Sequence, residues 1–128
     1  MDLELIGDYS YEIVTLASGI RRRPPFQVLR QISEAAKKIR GVLAQAIDAW
    51  RREDSAQGLS VRSQESAIRS ECGVLYEKLT QLTPGAGDAT AYFDLMLISR
   101  HLERILRHAV CVAEQATGAA PLEQAQGL

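Results

Sequence analysis

Leu95-Met96-Leu97-Ile98-Ser99-Arg100-His101-Leu102-Glu103-Arg104-Ile105-Leu106-Arg107-His108-Ala109 decides how this chain is read. Leu95, Ile98, Leu102, Ile105 and Ala109, continuing to Val112 and Ala116, recur at steps of three and four, the period of a helix that buries one stripe. From Leu102 onward the segment has a counterpart 99 residues earlier: Leu3 aligns with Leu102, Glu4 with Glu103, Ile6 with Ile105, Ala17 with Ala116 and Gly19 with Gly118. Such a spacing implies a repeating unit of about a hundred residues. The chain is therefore expected to hold the last helix of one unit, over 1–22, followed by a complete unit over 23–118. The copies differ in chemistry. The first sets Glu4 and Asp8 one helical turn apart on one face, where they could hold a cation, whereas the second sets Glu103 against Arg107.

Working outward, the first helix shows a seam of Leu3, Ile6, Ser10, Ile13, Ala17 and Ile20, and Pro24-Pro25 stops it. Arg21, Arg22 and Arg23 just beyond it read as a solvated cap on the negative end of the helix dipole, with anion binding as the alternative. The next helix has the cleanest register: Leu29, Ile32, Ala36, Ile39, Leu43, Ala46 and Trp50, with Trp50 as a core or interface anchor. Asp54, three residues before Gln57, predicts a cap and a third helix from near Ser55. Its seam is Ile68, Cys72, Leu75, Leu79 and Leu82, while Gly58 and Ser60 weaken its start and Gly58 could mark a loop. Thr83 to Gly87 is a turn, Asp88 a cap for the last helix, Gly118 its stop, and 119–128 a frayed tail. No segment alternates with period two. The predicted fold is all-α: an antiparallel three-helix bundle with an additional N-terminal helix, four helices in total. That first helix, an apolar stripe without its own repeat partners, must pack on the remaining bundle or on another subunit, and self-association into a homodimer is the natural way out.

Composition narrows the function. With 46% hydrophobic and 24% charged residues the chain can bury a core, and a net charge of −1 argues against a nucleic-acid partner. Apolar runs are broken by charges well short of a membrane span and no leader is seen, so a cytoplasmic protein is expected, without direct membrane insertion. Cys72 and Cys111 lack metal or redox spacing and read as small buried residues. There is no nucleophile beside a base and no glycine-rich phosphate loop, so an enzyme is not expected.

The run Asp2-Leu3-Glu4-Leu5-Ile6-Gly7-Asp8-Tyr9, and its counterpart from Ser99 to Ala109, resemble the Leu-Glu-Arg-Ile-Gly-Asp-His/Tyr signature of the PhoU family. The resemblance covers nearly all of residues 2–117. It implies tandem three-helix bundles, each closing on that signature, and a cytoplasmic negative regulator of phosphate uptake and phosphate-starvation signalling. By the same resemblance its partners are the phosphate-transporter ATPase and a sensor histidine kinase. Family members bind metal clusters through Glu/Asp-x-x-x-Asp pairs, and such oxygen ligands suit iron or hard divalent cations.

This chain departs from that pattern. Arg107 replaces the aspartate of the second copy, so Glu103 and Arg107 read as a helix ion pair. On the middle helix the two acidic positions upstream of Tyr76 hold Arg69 and Gly73, with Glu71 a poor substitute. No cofactor is expected. The metal candidates are Glu4 and Asp8, with Glu103 weaker because Arg107 argues against a site there. Two other readings compete: a generic helical dimerisation or adaptor module, and a histidine phosphotransfer bundle that would need His101 or His108 exposed beside a basic residue.

Overall fold

In the computed structural model the described residues are 1–85, 87 and 89–117. They form four helices, α1 (Asp2–Gly19), α2 (Phe26–Arg52), α3 (Ser55–Leu82) and α4 (Ala89–Thr117), with a single 3-10 turn over Thr83–Gly85. No strand occurs among them, as the absence of period-two patterning predicts. The predicted cap at Asp88, the stop at Gly118 and the tail lie outside the described residues.

Local chemistry sets the boundaries. Pro25 precedes the first residue of α2, since proline's fixed φ suits a helix entry and its missing N–H costs nothing there. α2 ends at Glu53, whose φ of 53° makes it a left-handed C-cap, and its N–H bonds back to the Trp50 carbonyl. Asp54 then caps α3 as predicted: its Oδ1 accepts the Gln57 N–H at 3.0 Å.

Packing follows from α4, which touches each of the other three helices. Successive helices reverse direction. Gln45 bonds Gln64 and Lys38 bonds Glu71, so α2 and α3 run antiparallel. Arg100 lies over Tyr76 and Arg107 reaches Glu65, so α3 and α4 do too. The bundle of α2, α3 and α4 has α1 laid along the free side of α4, antiparallel to it, with Asp2 beside His108 and Glu12 beside His101.

This position explains a difference from the sequence reading. A single stripe was expected on α4, yet Met96, Ser99, His101, Leu106, Val110, Ala113 and Glu114 are buried as well as Leu95, Ile98, Leu102, Ile105, Ala109 and Val112. With neighbours on three sides, α4 has little outward surface. The α1 seam also differs: Ile6 is buried, Tyr9, Ile13, Leu16 and Ile20 pack on the core, and Leu3, Ser10 and Ala17 are exposed. Both registers step by three and four, so spacing alone could not choose between them. In α2 the deepest positions are Val28, Ala35, Ile39, Val42, Ala46 and Ala49. Trp50 is not core: it is 48% exposed. Leu82 is likewise exposed at the end of α3.

Gly58 is not a loop marker. It is buried inside α3, and a Cβ there would stand 2.7 Å from the Ala113 carbonyl oxygen and 2.9 Å from Thr117 Cγ2. The missing side chain lets α3 and α4 meet at backbone distance.

Candidate functional site

The predicted ligand residues do not converge. Glu4 and Asp8 are exposed on α1, on the side away from the residues that meet α4. Glu103 is half-buried on α4 and held by Arg100 Nη1 at 3.2 Å. Arg107, expected to pair with Glu103, extends across to α3, with Nη1 3.5 Å from Glu65 Oε2. Among the described residues no three His, Cys, Asp or Glu side chains come together in a metal-holding group. A lone pair of exposed carboxylates offers fewer ligands than a hard cation takes, so the residues present do not fit a family-type metal cluster.

What stands on the α3–α4 seam is an ion triad. Glu65 falls on the α3 seam itself, in step with Val61, Ile68, Cys72, Leu75 and Leu79, and its side chain is only 7% exposed. Arg69 reaches it from one turn along α3 at 2.6 Å, and Arg107 reaches it from α4. A buried carboxylate needs counter-charge. Here two guanidinium groups supply it, and both occupy positions where the sequence pattern of the resemblance carries acids. A glutamate in step with an apolar seam was the available signal, and the sequence reading passed over it.

The opposite side of α4 carries the α1 contact. Tyr9 stacks between two imidazoles, its ring 5.5 Å from that of His101 and 5.9 Å from that of His108. His101 Nε2 sits 2.9 Å from Glu12 Oε2, and His108 Nδ1 sits 2.9 Å from Asp2 Oδ1. Arg104 lies over the Tyr9 ring and against His101 Nδ1. The two histidines, seven residues apart, thus clamp one tyrosine. His101 is buried and His108 half-buried, so the exposed imidazole that a phosphotransfer bundle requires is not present among the described residues, which include both histidines of the chain. The carboxylates of α1 that matter for α4 are Asp2 and Glu12, not Glu4 and Asp8.

Two further buried groups went unread in the sequence. Glu114 has no exposed surface, neither carboxylate oxygen accepts a hydrogen bond among the described residues, and its nearest counter-charge, Arg62 Nε, stands 3.8 Å away. Ser99 Oγ donates to the Cys72 carbonyl across α3 and α4 at 3.3 Å. Burial, reinforced by the charges of Glu103 and Glu71, pushes the Cys72 thiol up to about 11, so at neutral pH it is a protonated core side chain and not a nucleophile.

Four helices tied through one central rod define an all-α helical-bundle protein. A family model described as the PhoU domain matches residues 32–116, and the chain belongs to the PhoU family. Over 116 residues it is 27% identical to a phosphate-specific transport system accessory protein PhoU homolog from Synechocystis sp., covering 91% of this chain and 52% of that protein. A protein of the same description from Caulobacter vibrioides is 28% identical over 116 residues, covering 89% of this chain and 50% of the relative. The chain thus spans about half the length of the curated relatives it matches. No solved structure matches it. No described helix is long and apolar enough to cross a membrane.

Proposed function

We propose that this chain acts as an accessory regulator of a phosphate-specific transport system, lowering phosphate uptake and starvation signalling by protein contact and not by catalysis. The observation that carries the reading is the PhoU-domain match over 32–116, joined to relatives whose descriptions name that transport system. In this reading α1 is the closing helix of a preceding unit and 23–118 is a full three-helix unit. The regulator works in the cytoplasm, against the transporter ATPase and a sensor histidine kinase. Exposed Leu3, Tyr11 and Val14 on α1 favour a homodimer over a monomer.

The test is co-purification of the tagged chain with the transporter ATPase, together with phosphate uptake in cells lacking their own PhoU protein. Retention of the ATPase and reduced uptake on expressing the chain are expected. A chain that self-associates but neither retains the ATPase nor alters uptake is an adaptor module, and the proposal fails.

A further inference from the structure

Arg21, Arg22 and Arg23, between α1 and α2, are all exposed. Arg30, Arg52, Arg62, Arg69, Arg100 and Arg107 each sit within reach of a carboxylate. None of the three consecutive arginines makes an ion pair or hydrogen bond among the described residues. Their position is not that of a simple solvated cap. Arg22 and Arg23 line a cleft of about 320 Å³ whose other walls include Pro24, Pro25, Gly87 and Tyr92. Arg22 lies across Gly87, its Nη1 3.3 Å from where a Cβ would stand, so the glycine leaves the room the guanidinium occupies. No carboxylate lines the cleft among the described residues; Asp88, next in the chain, is outside them. Pro25 is also the N-cap of α2, whose first turn carries no acidic residue and no side-chain cap, so the positive end of that helix adds to the same sign of potential.

We infer that this cleft binds a small phosphate-bearing anion through Arg22 and Arg23. Guanidinium forks present parallel N–H donors that match the oxygens of a phosphate, and two adjacent forks suit a doubly charged group. The volume lies at the small end of the range for small-molecule sites and exceeds what a single oxyanion fills. The Tyr92 and proline walls would cover the body of a phosphate ester or a polyphosphate. The inference rests on the cleft alone and is independent of the transport reading.

Isothermal titration of the full chain with pyrophosphate and with ATP, at constant ionic strength, tests it. Flotation on phosphatidylcholine vesicles doped with phosphatidic acid runs in parallel. Arg22→Gln/Arg23→Gln removes both forks at exposed positions that carry no structural pairing, and Arg51→Gln on α2, also exposed, controls for general charge. Saturable one-site binding is expected, weakened about tenfold or more in the double variant and unchanged in Arg51→Gln. Absence of saturable binding to either soluble probe overturns the inference, as does an equal loss in the control. Vesicle binding through the same arginines without soluble binding overturns it in favour of a membrane surface.

Discussion

Replacing Gly58 by alanine should destabilise the fold, although the same change elsewhere in its helices should strengthen it. Alanine in a helix interior gains up to about 1 kcal/mol over glycine from propensity. Gly41 in α2 and Gly73 in α3 are exposed, with nothing within 4 Å of a Cβ placed on either. There the gain of about 0.5–1 kcal/mol should appear in full. At Gly58 the new Cβ stands 2.7 Å from the Ala113 carbonyl oxygen, against the 3.4 Å or more of ordinary contact. Because the obstacle is backbone, it cannot rotate aside, and α3 must part from α4 by several tenths of an ångström near Val61 and Ala113. Overpacking of this kind costs about 1–3 kcal/mol. Net of the propensity gain, Gly58→Ala should lose up to about 2 kcal/mol. Urea denaturation followed by helical circular dichroism measures all three variants on one scale, and the midpoints should move in opposite directions. A Gly58→Ala midpoint that rises as far as that of Gly41→Ala would refute the close-approach argument.

Other outcomes follow from the buried charges and caps. Glu114→Met should raise stability by about 1 kcal/mol or more, because it removes a buried carboxylate without hydrogen bonds while Arg62, 35% exposed, can turn to solvent; a lower melting temperature would mean that the attraction of Arg62 outweighs the cost of burying the carboxylate. Glu65→Ala should cost about 1–3 kcal/mol, less than a fully buried pair since Arg69 stays largely in water, and an unchanged urea midpoint would count against the triad. Folding keeps the Cys72 thiol protonated up to about 11, above the ordinary 9.0, so its contribution is complete below pH 9 and is lost as pH rises toward 11. Cys72→Ala should therefore flatten the alkaline stability profile between pH 9 and 11 relative to the parent chain; parallel profiles would argue against it. Glu53→Gly, at the left-handed cap, should be neutral to stabilising by about 1 kcal/mol, and Glu53→Val clearly destabilising by thermal melting.

Much of the fold was legible because it depends on local rules. The proline pair, the Asp54 cap and the apolar steps of three and four are short-range features, and they gave four helices with boundaries close to those observed. The sequence pattern also pointed to the family, since the signature runs at Leu3 and Leu102 are stretches of chain and need no packing to be seen. The candidate site was less legible. Glu4, Asp8 and Glu103 are correctly placed on helices, but which direction each faces depends on the neighbours of those helices. A shift in the α1 register from Leu3, Ser10 and Ala17 to Tyr9 and Leu16 exchanges one set of carboxylates for another.

The sequence by itself determined the secondary structure, the number of helices and the loss of acidic positions at Arg69 and Arg107. Only the tertiary structure decided where those arginines go: both reach the same buried Glu65 from different helices. It also decided that Tyr9 lies between His101 and His108, and that Gly58 is a contact and not a break. The physical reason is the same in each case. Periodicity fixes which residues share a helix face, whereas the charge, room and solvent that a face meets are set by residues tens of positions away, brought together when α4 is enclosed on three sides.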